Sequence, residues 1–535
     1  MVPVPSREHN LNFKINTMNP TISSTEKSQL TRLETLTELP ISEREKTLLT
    51  AGAYNSEPFL TNNWDTVFAA SYSDLNNYIT KRMQQFPDQY PTSWTATVPA
   101  SDFNRGYSGS GTFGPWQLEM GQSASGTKIS MKFPLNTCTV VLNDIPHVVS
   151  GGIAVVEVLL NLVPTTEQPN HLKLMVKTTT DNESEPILTV DNVTITSSSP
   201  AVSGLDGAGG AIANLLINWA DKNLSQFQHI FAIVNLNETA SKASFQWVKP
   251  TYTSYAFTLG KDMDSSYLGV LCMVLNHSPA QTTQELNAGA IPPGSKAGFN
   301  ISADMFLTQM VMPGLPGAFK NATPTTFVIK NDQIVLAPGT KLMMNPIRHA
   351  GLNYTPELQS FTFSIVNEVI EIYTYVRTNI SAGIDAYVET TSQYQLQLGV
   401  NKKTGGQSIT YLPVGTPVQH RSTVIADWVV WTEAIADIVL AVATSVISGL
   451  ASTIEKIIYR VIVAAIIGGI AAAIAAILEQ IPVWIAGEIP DNLPSIDAMI
   501  TDATNSFQWG DTADFDLTGV NVNGSIQFGG TLTSI

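Results

Sequence analysis

Glycine-rich turns, histidines, cysteines and paired carboxylates are the features of this sequence that could bind a cofactor or carry catalysis. The segment from Gly109 to Gly114 reads GSGTFG and matches the G-x-G-x-x-G pattern of dinucleotide-binding loops. In that motif the glycines open a helix whose N-terminus faces the pyrophosphate, whereas Pro115 and an alternating strand pattern follow here. The sequence therefore predicts a glycine-rich loop at 109–114 and no nucleotide site.

The other chemical motifs are equally incomplete. The Gly204–Gly210 cluster opens a helical pattern, but it follows a serine-rich run and lacks the lysine of a P-loop, which favours a linker. The seven histidines are dispersed, and His229, between apolar residues, is interpreted as a packed or partly exposed core histidine. Asp262 and Asp264 form a carboxylate pair without further context. The prediction is a protein without catalytic residues, cofactor or metal, which is not an enzyme.

The two cysteines and the net charge restrict the kinds of site and partner that this sequence can have. Cys138 and Cys272 are far apart and belong to no CxxC or Cys/His cluster, so two buried free thiols are expected. The formal net charge is −16. Such a chain cannot neutralise a phosphate backbone, so no nucleic-acid partner is expected, and it is repelled on average from anionic membranes.

Two amphipathic helices are predicted from apolar residues at helical spacing, at about 62–85 and at about 208–231. The first pattern contains Trp64, Val67, Phe68 and Leu75 and ends at Pro87. The second contains Ile212, Leu215, Leu216, Trp219, Phe227, Ile230 and Phe231. Each helix would present one aromatic, apolar face to the rest of the protein.

Alternating patterns predict antiparallel strands between and after these helices. They occur at 116–120, 153–160, 173–177, 193–195, 270–275 and 327–330, and repeatedly over 360–400. The predicted domains are an N-terminal helical arm at 1–58, a body at 59–424, an apolar helical segment at 425–500 and strands at 501–535 that return to the body. The order of elements further suggests two related halves within the body, about 59–200 and 201–424.

The segment from Val461 to Leu478 is an unbroken apolar run that barely reaches the length of a membrane span. A single membrane anchor and a helical hairpin buried in the protein are the two interpretations. We expect a helix in a soluble protein, because alanine and glycine make up much of the run and the strands after it rejoin the sheet. No signal peptide is recognised at the N-terminus, so synthesis in the cytoplasm and release by a non-classical route are expected.

Several segments resemble one family. They are Thr61–Ala69, Asn223–Leu236, Trp247–Pro250 with Tyr255–Ala256, Ile291–Ser302, Phe306–Leu307 and Met312–Pro316. In this order they are similar to blocks of the clostridial forty-seven-kilodalton protein and its Orf-X relatives, which are encoded in neurotoxin gene clusters. The resemblance covers roughly 60–355. It implies the tubular lipid-binding superfamily, an elongated α+β fold in which a highly curved antiparallel sheet wraps long helices.

That resemblance implies a lipid- or membrane-binding accessory protein, associated with a toxin, that holds acyl chains in an apolar groove. Candidate groove residues are Trp64, Val67, Phe68, Leu75, Trp219 and Phe227. The expected partners are a lipid and, in addition, a toxin or other family members, with conditional membrane contact through 461–478. Two alternatives stand beside it: a structural component of a toxin complex without ligand, and a membrane-inserting toxin that uses residues 425–488.

Overall fold

The computed structural model describes residues 59–101, 105–121, 128–164, 171–177, 188–195, 208–223, 230–235, 250–319, 321–349, 351–400, 407–415, 418–426, 507–508 and 512–534. Contacts divide the chain after Asn55, and all of these residues belong to the unit Ser56–Ile535. The predicted N-terminal arm at 1–58 and, apart from its first two residues, the apolar segment at 425–500 lie outside the described residues. The two predicted halves of the body stay a prediction.

A six-stranded antiparallel sheet joins distant parts of the chain. With strands numbered along the described chain, it contains β1 (Thr66–Ser71), β10 (Pro250–Thr258), β11 (Tyr267–Val274), β12 (Ala297–Ser302), β24 (Thr512–Val522) and β25 (Ser525–Ser534), in the order β10-β11-β1-β12-β25-β24. Val67 lies opposite Leu271 on one side and Asn300 on the other, so β1 sits between two neighbours. We call this the central sheet.

A nine-stranded sheet is built mainly from residues 93–235. Its strands are β2 (Ser93–Val98), β3 (Tyr107–Phe113), β4 (Gln117–Leu118), β5 (Lys128–Leu142), β6 (Ile145–Pro164), β7 (His171–Val176), β8 (Leu188–Ile195), β9 (Ile230–Asn235) and β23 (Phe507–Gln508). Its longest strands, β5 and β6, form a hairpin at the centre of the sheet. Lys128 pairs with Leu159 at one end of this hairpin, and Leu142 pairs with Ile145 at the other.

An eight-stranded sheet follows the central strands. It contains β13 (Phe327–Lys330), β14 (Gln333–Leu336), β15 (Leu342–Met343), β18 (Pro356–Val366), β19 (Val369–Ser381), β20 (Ile384–Val400), β21 (Gln407–Pro413) and β22 (Val418–Ile425). A separate hairpin pairs β16 (Ile347–His349) with β17 (Leu352–Tyr354). Buried and half-buried residues alternate along β19 and most of β20, which is the period-two pattern that the sequence shows over 360–400.

Helices are short in the described part of the chain. They are α1 (Tyr72–Gln85), α2 (Ala208–Asn223) and a continuous helical run in which α3 (Ala303–Met305), a π-helix (Phe306–Val311) and α4 (Met312–Ala318) follow one another. Single 3-10 turns occur at Pro87–Gln89, Pro279–Gln281 and Ala288–Ala290. The long wrapped helix implied by the resemblance is not among these elements, and no described helix has both the length and the hydrophobicity to cross a bilayer.

The helix predicted over 62–85 is wrong in its first half. Trp64 lies in a loop, Val67 and Phe68 lie in strand β1, and the helix begins only at Tyr72, where the Ser71 hydroxyl accepts a hydrogen bond from the Asp74 N–H at 3.2 Å. All six residues of β1 are buried. A strand buried on both faces shows no alternation, and a short apolar run of this kind fits helical spacing as well.

Within the helix predicted over 208–231, the structure describes α2 as Ala208–Asn223. Residues 224–229, including Phe227 and His229, lie outside the described residues, and Ile230–Asn235 forms strand β9 between β7 and β23. Ile230 and Phe231 therefore do not continue the apolar face of α2. The β-branched and aromatic residues of this segment fit a strand once partners are available on both sides.

The segment predicted as a glycine-rich loop at 109–114 belongs to strand β3 as far as Phe113. Gly109 and Gly111 lie within strand β3, paired with Val140 and Cys138 of β5. A Cβ atom on Gly111 would lie 2.4 Å from the Thr137 carbonyl oxygen and 2.8 Å from Trp94 Nε1. Glycine is present because the indole of the neighbouring strand and the backbone occupy the space of a side chain.

Other predictions are confirmed. Neighbouring strands run antiparallel throughout the described sheets. Strand β25 pairs with β12 and β24, while the predicted division into domains stays a prediction. One large apolar cluster takes residues from all three sheets and from α1 and α2. Both cysteines are buried and free, and burial raises the pKa of the Cys138 thiol to about 11.

Candidate functional site

Four consecutive side chains of the loop before β1, residues 62–65, make hydrogen bonds to a second segment, residues 274–285. Asn62 and Asn63 adopt left-handed backbone angles, φ 53° and 66°, which asparagine tolerates better than most residues. Asn62 Nδ2 donates to the Glu285 carbonyl at 3.1 Å and Asn63 Nδ2 donates to the Gln281 carbonyl at 2.9 Å. This turn aims both amides at the same loop, so the Asn-Asn pair is a structural clamp.

Trp64 and Asp65 complete the clamp. The Trp64 indole Nε1 donates to the Thr283 carbonyl at 2.7 Å. The Asp65 carboxylate accepts from the Val274 N–H at 2.8 Å and lies 3.0 Å from His277 Nδ1. The side chain of Asp65 is 8% exposed and that of His277 is 42% exposed. A buried carboxylate with two donors holds the sharp turn that follows β11.

An Asp–His pair also occurs in the catalytic triads of hydrolases, where the histidine activates a third residue, a nucleophilic hydroxyl or thiol. In the described part of the chain, Asp65 is the only side chain that makes a hydrogen bond with His277. Among the described residues no hydroxyl or thiol makes a hydrogen bond with the His277 ring, and burial raises the pKa of the Cys272 thiol near Asp65. The pair holds the loop in place and does not complete a triad among these residues.

A cleft of about 330 Å³ opens where this loop meets strand β10. Its apolar lining is Trp64, Tyr252, Pro279 and Ala280, and its polar lining is Ser254, Ser278, Thr282 and Gln284. The rings of Trp64 and Tyr252 are stacked at 11° with their centroids 6.0 Å apart. Trp64 is 2% exposed, whereas Tyr252 is 47% exposed. The cleft therefore combines a fixed indole floor, an exposed aromatic edge and uncharged polar groups.

The six groove candidates do not lie together. Val67 and Trp64 belong to a small apolar cluster on one face of the central sheet. Phe68, Leu75 and Trp219 belong to the large cluster on the other side, because successive residues of β1 point to opposite faces. Phe227 lies outside the described residues. Of the five placed candidates, only Trp64 lines the cleft, and the groove role of all six stays a prediction.

Helix α2 covers part of the nine-stranded sheet, where it contacts β2, β3 and β8. Its apolar face is fully buried, with Ile212, Leu215, Leu216 and Trp219 between 0% and 5% exposed. A Cβ on Gly109 would lie 2.7 Å from Leu215 Cδ1, so the glycine allows the helix to approach the strand closely. Phe113 of the sheet lies 5.2 Å from Trp219 between ring centroids. We call this contact the helix–sheet seam.

Helix α1 is attached to the same sheet by a buried amide. Asn76 Nδ2 donates to the Leu118 carbonyl at 3.0 Å, and the Leu118 N–H donates to Asn76 Oδ1 at 2.6 Å. The Asn76 amide thus makes the two hydrogen bonds with β4 that the backbone of a neighbouring strand would otherwise make.

The sequence gives no signal for the roles of Asn76, Tyr252, His277 or Gln284, since these roles depend on segments far away in the chain. The adjacent asparagines Asn62 and Asn63, in contrast, are typical of a turn, so a turn at this point could have been predicted from the sequence.

Comparison with known proteins gives consistent relatives. A family model for OrfX-like proteins, described as Protein OrfX2/OrfX3/P47, matches residues 61–530. Protein OrfX3 of Paraclostridium bifermentans is 28% identical over 508 residues, covering 88% of this chain and 98% of that protein. Protein OrfX3 of Clostridium botulinum (strain Kyoto / Type A2) is 26% identical over 512 residues, with the same coverage of 88% and 98%.

The likeness extends to a solved structure. P47 from Clostridium botulinum A2 superposes with a TM-score of 0.58 at 18% identity, covering 89% of this chain and 98% of that one. At this identity the likeness shows the fold alone.

Proposed function

Since the chain belongs to the OrfX-like family of OrfX2, OrfX3 and P47 proteins, we propose that it is a non-enzymatic accessory protein that binds lipid and holds acyl chains at the helix–sheet seam. The family is bacterial and toxin-associated. Lipid binding, the tubular lipid-binding architecture and the membrane role are the parts that this proposal adds.

The burial of the apolar face of α2 is the observation that carries the proposal. Leu215 and Ile212 are 0% exposed, and the contacts that hold this face are between apolar side chains. Asn214 Nδ2 of the same helix donates to the Tyr107 hydroxyl of the sheet at 3.1 Å, at an exposed position. Acyl chains can replace the contacts of Ile212, Leu215 and Leu216, because these side chains carry no polar group, and each buried methylene is worth about 0.8 kcal/mol. The seam is closed by side chains in this structure, so binding requires the helix to move outward.

Absence of an assembled catalytic group supports the non-enzymatic part. His277 has a carboxylate partner and no nucleophile in the described part of the chain. Among the same residues, no group of three or more histidine, cysteine, aspartate or glutamate side chains could hold a metal ion. The two alternatives, a ligand-free assembly component and insertion through 425–488, stay predictions, and the second lies outside the described residues.

Tryptophan quenching tests the seam directly. The protein is mixed with phosphatidylcholine vesicles whose acyl chains carry bromine, which quenches indole emission on contact. We expect quenching of the wild type, and we expect Trp219→Phe to remove a part of it because Trp219 lies in the seam. Trp64→Phe is the matched control, since Trp64 belongs to the other apolar cluster and its replacement should leave the acyl-dependent quenching unchanged.

Native mass spectrometry of protein purified without detergent supplies the second measurement. Masses of bound phospholipid that leave on collisional activation support the proposal. Protein of bare mass, together with quenching that is the same for Trp219→Phe and the wild type, would contradict it.

A further inference from the structure

The cleft between β10 and the loop 278–284 has no role in lipid binding at the seam, and we propose that it binds the ring of a neutral sugar. The inference combines three features of the cleft: an exposed aromatic ring on a fixed support, hydroxyl and amide groups with unused hydrogen-bonding capacity, and the absence of charge among its lining residues. It does not rest on the function proposed above.

The aromatic wall is preorganised. Tyr252 keeps 47% of its surface exposed although its ring stacks on Trp64. Trp64 cannot turn away, because its indole N–H is fixed to the Thr283 carbonyl at 2.7 Å. The apolar C–H face of a pyranose packs on such a ring, whose π-face carries partial negative charge. A ligand that meets a rigid ring loses less conformational entropy on binding.

The polar wall offers both donors and acceptors. Ser278 Oγ accepts from the Ala280 N–H at 3.3 Å, which leaves its own O–H to donate. Thr282 Oγ1 donates to the Pro279 carbonyl at 2.8 Å, which leaves its lone pairs to accept. Gln284 Nε2 donates to the Tyr255 carbonyl at 2.9 Å, and the amide keeps a second N–H and its oxygen. Sugar hydroxyls both donate and accept, so this mixture is complementary to them.

The size, charge and polarity of the cleft argue against an anionic head group and against an acyl chain. A volume of about 330 Å³ lies at the lower end of the range for small-molecule sites, about 300–1,000 Å³, and suits one or two rings. No Lys, Arg, His, Asp or Glu belongs to the lining residues, so an anionic head group meets no basic side chain among them. An acyl chain would cover the Ser278 O–H and the second N–H of the Gln284 amide without offering them an acceptor, which costs free energy.

Saturation-transfer NMR with the full chain tests this inference. The probes are the methyl glycosides of glucose, galactose, mannose and N-acetylglucosamine at millimolar concentration, with inorganic phosphate as the anionic comparison. We expect saturation of ring protons for at least one glycoside. Tyr252→Ala should weaken binding by about tenfold or more, since an aromatic anchor contributes a large share of affinity. Tyr252→Phe, which keeps the ring, should bind like the wild type.

Controls separate the source of the sugar and the two proposals. Tyr375→Ala removes an aromatic ring from the eight-stranded sheet and should leave binding unchanged, as should Trp219→Phe at the seam. Flotation with vesicles of phosphatidylcholine with and without lactosylceramide distinguishes a glycolipid head group from a free glycan. Absence of saturation for all four glycosides together with no preference for lactosylceramide vesicles overturns the inference. Binding that survives in Tyr252→Ala, or a stronger response to phosphate than to any glycoside, overturns it as well.

Discussion

Asp65 stands out among single residues because its surroundings give a short side chain two structural tasks. Its carboxylate is almost fully buried, accepts from the Val274 N–H and faces His277. Replacing Asp65 by a residue without a carboxylate would therefore leave the Val274 N–H and the His277 ring without this partner. Its neighbours Asn62, Asn63 and Trp64 each hold one carbonyl of the opposite loop. The shape of the cleft depends on this clamp, since the same loop supplies Ser278, Thr282 and Gln284 of its polar lining.

Asp65→Ala should lower the free energy of unfolding by about 1–3 kcal/mol, because the buried Val274 N–H loses its acceptor. Urea denaturation followed by tryptophan fluorescence measures the change. Asp516→Ala is the control, since Asp516 is exposed on β24, and a change within about 0.5 kcal/mol is expected there. Equal effects of the two substitutions would mean that the clamp contributes nothing to stability.

At the scale of elements, glycines decide how closely the helix–sheet seam can close. Gly109 faces Leu215 of α2, and Gly111 faces the Trp94 indole of the neighbouring strand. Both belong to the pattern that resembles a nucleotide-binding motif, so the spacing of these glycines reflects packing across β2, β3 and α2. Gly210, in the first turn of α2, has nothing within 4 Å of its Cβ position.

Alanine in place of Gly111 and alanine in place of Gly210 should have opposite effects on the stability of the protein. Gly111→Ala should destabilise by about 1–3 kcal/mol, because its Cβ would collide with a backbone carbonyl and with the Trp94 ring. Gly210→Ala should stabilise by up to about 1 kcal/mol, because alanine restricts the unfolded chain and the helix has room for the methyl group. Thermal unfolding by circular dichroism measures both. A stabilising Gly111→Ala would show that β3 and Trp94 are not packed as described.

On the scale of the whole unit, the last two strands lie inside the fold and not at its margin. Strand β25 pairs with β12 on one side and β24 on the other, with Phe299 opposite Phe528. Phe528 is 0% exposed, and Ile526 beside it is also 0% exposed. The chain therefore cannot complete its central sheet until residues beyond 512 have joined strands from 66–302.

Phe528→Ala should lower the free energy of unfolding by about 3–5 kcal/mol, the usual cost of removing a buried phenylalanine ring. Leu352→Ala is the matched control, since Leu352 is 60% exposed at the tip of a hairpin, and it should change stability little. Guanidinium denaturation followed by both fluorescence and circular dichroism tests this. A small effect at Phe528 would mean that the C-terminal strands are dispensable for the central sheet.

The sequence by itself determined the features that depend on local pattern. Alternation over 360–400 predicts the strands of the eight-stranded sheet, because a sheet with one buried face has a period of two. Isolated cysteines in apolar surroundings predict buried free thiols, and ordered blocks such as Thr61–Ala69 predict the family. The residue-level meaning of those blocks was not available, since a clamp such as Asn62 to Asp65 has its partners some two hundred residues further along the chain.

Tertiary structure alone decided which apolar segments became strands and where the cleft forms. Thr66–Ser71 is a strand because β11 and β12 form hydrogen-bonded ladders with both of its edges, whereas its composition permits a helix equally well. Ile230–Asn235 is a strand because β7 and β23 supply partners. The cleft brings residue 64 together with residues 252–254 and 278–284, an arrangement that follows from strand order in the central sheet. Local periodicity carries no information about strand order, which the packing of distant segments fixes.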